Sequence, residues 1–231
     1  MNNLILVRHG QSQWNKERRF TGWADIDLTN QGKSEAKYAG QLIKELKIEF
    51  DAYFSSGLKR AINSLDIILK ILQKTSSKTI KSNSLNERHY GELTGLNKDE
   101  TIKKYGAKQV HIWRRSFNIR PPAMDSNHLY KNKINTPMSS ESLKDTYERV
   151  IPYYNNKIKP LLEAKKNILV VFHGNSCRAL LMNIFKISKN KIDKFEIPTG
   201  NPLLIKFGED LKVKSYKYLD HKRAKKILFK I

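Results

Sequence analysis

The chain has 231 residues, 39% of them apolar, with one cysteine and a formal net charge of +22. The length suits a single domain, 1–231, with a core of its own; one cysteine excludes an internal disulfide, and no apolar run approaches the ~18 residues of a membrane span. Charge at Arg8 interrupts the opening apolar stretch too soon for a secretory signal, so the expectation is a cytoplasmic protein.

Asn3 to Val7 is a short Leu/Ile/Val run that stops at Arg8-His9-Gly10, the pattern of a buried strand running into a loop. Thr29-Asn30-Gln31-Gly32 reads as a turn or cap, and Ala36, Ala39, Leu42, Ile43 and Leu46 place a helix over Lys33 to Leu46. Ala52-Tyr53-Phe54 is a second strand ending at Ser55-Ser56-Gly57, followed by a helix marked by Ala61, Leu65, Ile68, Leu69 and Leu72. Residues 85–150 interrupt the alternation. They are polar, hold Pro121-Pro122 and Pro137, and read as an insertion that roofs the site. Lys166 to Phe172 is a third buried strand, ending at His173-Gly174-Asn175-Ser176 and leading to a helix from Cys177 to Phe185. Leu203 to Phe207 and Val213 to Tyr218 form a late hairpin. Alternating strands and helices imply an α/β fold with a mostly parallel sheet covered on both faces, and ligands in such sheets bind beyond the strands' carboxyl ends.

The charge admits three readings: a nucleic-acid surface, attraction of small anions, or lysine spread over solvated surface. The spread accounts for most of it, because no long basic block stands out, so nucleic acid is not expected as the main partner. The densest stretch, 206–231, carries nine Lys/Arg against three carboxylates and reads as a solvated terminal helix or a polyanion patch.

The chemistry concentrates at the strand ends. Neutral imidazole is a nucleophile near pH 7, so His9 is a candidate to attack phosphorus if a hydrogen bond fixes its tautomer. His173, at the equivalent end of another strand, can hold the same phosphoryl group, and Arg8 and Arg60 offer planar forks that match phosphate oxygens. Phosphoryl transfer relies on such positioning and charge more than on further covalent help. Glu87, in Asn86-Glu87-Arg88-His89-Tyr90-Gly91, is a candidate general acid/base, and nearby phosphates are expected to raise its pKa. Arg114 and Arg115 beside Trp113 can clamp a carboxylate or second phosphate. The six histidines show no metal-ligand spacing, and neither a Gly-x-Ser-x-Gly elbow nor a Walker loop is present, so no metal is expected.

Eight segments together resemble the cofactor-dependent phosphoglycerate mutases of the histidine phosphatase superfamily. They are residues 6–15, Phe20-Thr21-Gly22-Trp23, Leu58-Lys59-Arg60-Ala61, residues 85–91, Trp113-Arg114-Arg115, residues 141–146, His173-Gly174-Asn175-Ser176 and residues 198–202. The Arg-His-Gly motif is shared with phosphatases of the superfamily; the segments around Glu87 and Arg114 are more specific to the mutases. The resemblance implies a three-layer α/β/α fold and interconversion of 2-phosphoglycerate and 3-phosphoglycerate, primed by 2,3-bisphosphoglycerate and without metal. It implies His9 as the phosphorylated nucleophile, Glu87 as proton donor and acceptor, and Arg8, Arg60 and His173 as holders of the phosphoryl group. It further implies substrate contacts from Asn15, Thr21, Gly22, Arg88, His89, Tyr90, Lys98, Arg114, Arg115, Gly174 and Asn175, and a homodimer as the preferred assembly. The rival readings are a broad phosphomonoesterase, a 2,3-bisphosphoglycerate synthase and a nucleic-acid binder. Against the family's pattern, Gln11 and Gln13 stand where Glu is common, Cys177 stands at an aliphatic position, the 121–138 stretch is shorter, and the tail at 228–231 is short.

Overall fold

The computed structural model describes residues 2–134 and 136–224. Its strands are β1 (Asn2–Arg8), β2 (Ala52–Ser56), β3 (Thr79–Ser82), β4 (Ile168–Phe172), β5 (Leu203–Phe207) and β6 (Val213–Tyr218), joined in one sheet of order β3-β2-β4-β1-β5-β6. The pairings β3-β2, β2-β4 and β4-β1 are parallel, and β1-β5 and β5-β6 are antiparallel. The expected hairpin is thus the antiparallel margin of a mainly parallel sheet.

The α-helices among the described residues are α1 (Gln13–Lys16), α2 (Asn30–Lys44), α3 (Lys59–Ile71), α4 (Lys98–Tyr105), α5 (Ala107–Arg115), α6 (Leu143–Tyr153), α7 (Lys159–Glu163), α8 (Gly174–Phe185) and α9 (His221–Ala224). Strand side chains alternate between faces, and this period sorts the core. Leu4, Leu6, Ile168, Val170 and Phe172 pack with α6, α7 and α8, while Ile5, Val7, Leu169 and Val171 pack with α2 and α3. The result is a three-layer α/β/α arrangement. β1 and β4 read as unbroken apolar runs because helices cover both of their faces.

Three local departures from the sequence reading have physical causes. α2 starts three residues early because the Thr29 hydroxyl accepts from the Gly32 amide at 3.0 Å and caps the first turn. α8 starts at Gly174, not Cys177, so the supposed loop after His173 is the first helical turn. β3, with an exposed middle and no apolar run, gives too weak a pattern to be read as a strand. Within 85–150, α6 drives Leu143, Val150 and Ile151 into the core. In the 121–138 stretch, Met124, Ile134 and Met138 gather on Trp23. The tail at 228–231 lies outside the described residues.

Register then places the chemistry. Arg8 pairs with Phe172 across β1 and β4, so both strands end side by side and the next residue of each is a histidine. The His9 amide donates to the Phe172 carbonyl at 2.9 Å. Immediately beyond, the backbone at Gly10 lies against α2: a β-carbon there would sit 2.1 Å from the Gly32 carbonyl oxygen, which only glycine avoids.

Candidate active site

The His9 and His173 rings lie edge to face with centroids 4.9 Å apart. His9 Nδ1–H donates to its neighbour's carbonyl, Gly10 O, at 2.6 Å, which turns the Nε2 lone pair outward; Arg60 Nε–H donates to that lone pair at 3.3 Å. His173 Nε2 lies 2.7 Å from Ser56 Oγ, which itself accepts from the Leu58 amide. Burial, and then the positive charges of Arg60 and Arg8, hold the His9 pKa well below its ordinary value; burial, Arg60, His9 and Arg8 act in the same direction on His173. Both imidazoles are therefore neutral at pH 7, the state a nitrogen nucleophile needs.

Arg60 enters from the first turn of α3 and is 1% exposed. Its remaining nitrogens donate to the Gly22 and Ala24 carbonyls at 2.7 and 2.9 Å, which fixes the fork against the imidazole. Burial lowers its pKa to about 10, so it stays charged at neutral pH. Arg8 Nη1 donates to the Ile197 carbonyl at 2.7 Å.

Glu87 Oε1 accepts from the Arg88 amide at 2.8 Å and the Asn175 amide at 3.1 Å. Burial pushes its pKa up, but the Arg88 bond, Arg8, the Asn175 bond and Arg60 together outweigh that and leave it below the usual carboxylate value. The rise expected from like charge therefore belongs to a cleft holding an anion.

The cleft around these groups is lined by seven cationic side chains, Arg8, Arg19, Arg60, Lys98, Arg114, Arg115 and Arg178, against one carboxylate, Glu87. That imbalance suits a ligand with several negative charges. His9, Asn15, Thr21, Tyr90, Gly174 and Asn175 complete the expected part of the lining. Burial and the neighbouring Arg114, Arg8 and Arg18 lower Lys98 to about 8, with Tyr90 opposing. Tyr90 accepts from Asn175 Nδ2 at 3.3 Å. Burial raises its phenol, but Arg88, whose guanidinium stacks 4.9 Å from the ring centre, and Arg114 bring it down to about 8.

Four expected site residues stand outside the lining: His173, fully buried against the His9 ring, and Gly22, Arg88 and His89. Gly22 meets Arg60 through its carbonyl. Arg88 is fully buried behind Tyr90 and donates to the Arg114 carbonyl at 2.7 Å. His89 is buried beside Trp23; its Nδ1 accepts from the Gly91 amide and burial lowers its pKa to about 4. Sequence reasoning missed Arg19, Phe20 and Arg178. Arg178 follows Gly174 by four residues, one turn along the same face of α8, so its approach to the cleft was readable once the helix start was known. It donates to Asn175 Oδ1 at 3.2 Å and to the Phe195 carbonyl at 2.6 Å. Cys177 is buried with its thiol pushed up to about 12, an inert filler of core space. Among the described residues no group of three or more His, Cys, Asp and Glu side chains is placed to share a metal ion, and no helix is long and apolar enough to cross a membrane.

Residues 4–216 match the family described as Histidine phosphatase superfamily (branch 1). The chain is 50% identical to a 2,3-bisphosphoglycerate-dependent phosphoglycerate mutase of Pelagibacter ubique, over 99% of both chains. It is 46% identical to one of Zymomonas mobilis, over 96% of this chain and all of that one. Its fold is similar to that of a mycobacterial glucosyl-3-phosphoglycerate phosphatase, with a TM-score of 0.69 at 20% identity, covering 94% of this chain and 97% of the other.

Proposed function

The chain belongs to the 2,3-bisphosphoglycerate-dependent phosphoglycerate mutases of the histidine phosphatase superfamily, and from that premise we propose how its cleft carries the reaction. The enzyme interconverts 2-phosphoglycerate and 3-phosphoglycerate through a phosphohistidine. The observation that supports our residue assignments is the pair of neutral imidazoles 4.9 Å apart, one of which, His9, lines a cleft of seven cations and one carboxylate.

His9 Nε2 attacks phosphorus while the Gly10 carbonyl, accepting from Nδ1–H, stabilises the positive charge that develops on the ring. Arg8, Arg60 and His173 hold the oxygens of the transferring group, whose charge they stabilise without having to reorganise. As the bond from phosphorus to the glycerate oxygen breaks, the Glu87 carboxyl gives that oxygen its proton. In the return step phosphorylated His9 gives its phosphoryl group to the free hydroxyl of a bound monophosphoglycerate, whose proton the Glu87 carboxylate takes, and the 2,3-bisphosphoglycerate so formed passes its other phosphoryl group to His9. An anionic substrate beside Glu87 offsets the hold of Arg8 and Arg60, so the carboxyl gains its proton as substrate enters.

Priming is by 2,3-bisphosphoglycerate, whose two phosphates and carboxylate match the excess of fixed cations; no metal takes part. Asn15, Thr21, Tyr90, Lys98, Arg114, Arg115, Gly174 and Asn175 hold the groups that do not react, and Gly22, Arg88 and His89 support that wall from behind. Residues 85–150 are on this reading the part of a single domain that roofs the site, and the setting is the cytoplasm.

The test is conversion of 3-phosphoglycerate with and without 2,3-bisphosphoglycerate, in the presence of a chelator. Activity should depend on the bisphosphate and survive the chelator. Bisphosphate carrying labelled phosphate should leave an acid-labile, base-stable label on His9, and His9→Ala should lose both label and turnover. Full turnover by His9→Ala would refute the assignment.

A further inference from the structure

Arg149, on α6, lies outside the cleft lining, yet it makes five hydrogen bonds around the segment that carries Glu87. Nη1 donates to the Ser84 carbonyl at 2.9 Å; Nη2 donates to the Asn86 and Glu87 carbonyls at 3.0 and 2.9 Å. Nε and Nη2 also grip both oxygens of Glu141, at 2.7 and 2.9 Å. Glu141 is fully buried, and its Oε2 accepts from the His89 amide at 2.8 Å. The guanidinium lies 5.5 Å from the ring centre of Trp23. One side chain and its carboxylate partner thus bond the backbone at 84, 86, 87 and 89, on both sides of Glu87.

A buried ion pair is a poor source of stability, because desolvation cancels most of the attraction; its attested use is to fix one arrangement among several. Here the arrangement fixed is the turn from which Glu87 reaches into the cleft. Both hydrogen bonds to the Glu87 carboxylate fall on Oε1, which leaves Oε2 for proton transfer. A general acid acts only within hydrogen-bond reach of the oxygen it protonates, so a small shift of the backbone at Glu87 removes its effect.

We propose that Arg149 is a positioning residue for proton transfer: its planar guanidinium, clamped by Glu141 through Nε and Nη2 and by the Ser84 carbonyl through Nη1, holds the Asn86 and Glu87 carbonyls on Nη2 and so sets the reach of the Glu87 carboxyl. This rests on the reading of Glu87 as the proton donor. Lysine cannot replace the fork, since an ammonium is a point charge without planar paired donors.

The experiment is single-turnover phosphorylation of His9 from two donors. With 2,3-bisphosphoglycerate, the N–P bond forms, the bond from phosphorus to the glycerate oxygen breaks, and that strongly basic oxygen leaves with the proton from Glu87. With p-nitrophenyl phosphate, the same N–P bond forms, but the weakly basic p-nitrophenolate leaves without a proton. Arg149→Lys should slow transfer from the bisphosphate about 10- to 100-fold and transfer from p-nitrophenyl phosphate by no more than about 2-fold. Glu141→Gln, which keeps the shape but weakens the clamp, should show the same selectivity to a smaller degree, and it decides the matter if Arg149→Lys does not fold.

Equal loss with both donors, including loss through misfolding of both variants, would mean a structural role only and overturn the proposal. So would no loss with either donor. Glu87→Gln separates the two levels of the argument. If it fails to discriminate between the donors, the reading of Glu87 is wrong. If it discriminates and the Arg149 and Glu141 variants do not, only the positioning role is wrong.

Discussion

The inner and outer walls of the cleft are built differently. His9, Arg60 and His173 are 2%, 1% and 0% exposed, and each is fixed at a strand end or the first turn of a helix beside one. Tyr90, Lys98, Arg114 and Arg115 are half-buried, and the last three ride on the short helices α4 and α5. Those helices rest on a cluster whose fully buried members are only Phe20, Leu93 and Val110. The inner wall is thus part of the main core, while the outer wall leans on a satellite of it. Groups that stabilise developing charge must not reorganise during reaction, whereas groups that admit and release substrate must. The two constructions match the two tasks.

The comparison would break most visibly at Arg60. Arg60→Lys loses the fork that contacts His9 and leaves the Gly22 and Ala24 carbonyls without their donors. The expected loss is about 10²- to 10³-fold in kcat, the magnitude seen when one preorganised donor to developing charge is removed, with a much smaller change in KM. Steady-state kinetics on protein verified as folded by circular dichroism would check this. A loss confined to KM would place Arg60 with the substrate-holding groups and dissolve the distinction.

The same division explains what could be read from the sequence. The inner wall was legible because it follows from local rules: Leu4 to Val7 and Ile168 to Phe172 are unmistakable buried runs, and a histidine follows each strand end. Parallel strands covered on both faces bring such ends to one edge of the sheet. Of the outer wall, only the adjacent Arg114 and Arg115 beside Trp113 were readable as a clamp from the residues themselves; Tyr90 and Lys98 were named through resemblance, since no periodicity points them inward. Arg149 and Glu141 were invisible as a pair because their meeting with residues 84–89 depends on how α6 packs, which no local pattern encodes. β3 escaped for a related reason: an edge strand with exposed Ile80 and Lys81 lacks the burial that makes strands readable.

Val110→Ala would sharpen the comparison from the other side. It removes two methyl groups from the satellite cluster, at a local cost of about 1–3 kcal/mol, and should loosen α5 without touching the main core. KM should rise about 3- to 10-fold because the competent outer wall is populated less, with kcat within about 2-fold of the parent. Hydrogen exchange should speed in 98–115 and stay unchanged in β1 and β4. Faster exchange in the central strands would show that the two walls form one cooperative unit.

The smallest expected effect is one of pH, and it separates the walls by charge. Lys98 and Tyr90 both have values near 8, whereas Arg60 and Arg178 of the same cleft stay charged to about 10 and about 9. As pH rises through 8, Lys98 loses its positive charge and Tyr90 gains a negative one, and both changes repel an anionic substrate. The sign is therefore a KM that rises above pH 8. Bound substrate favours protonated Lys98 and neutral Tyr90, so the alkaline limb of kcat should lie at higher pH than that of kcat/KM. Tyr90 acts electrostatically on Lys98, so the two titrations are coupled and each variant removes only part of the limb. Lys98→Met should raise KM at pH 7 about 5-fold and flatten most of the rise, while Tyr90→Phe should leave KM at pH 7 nearer the parent's and shift the limb upward. If both variants kept the parent's limb, the alkaline loss would belong to the inner wall, and the outer wall would not be where the protein senses the charge of its substrate.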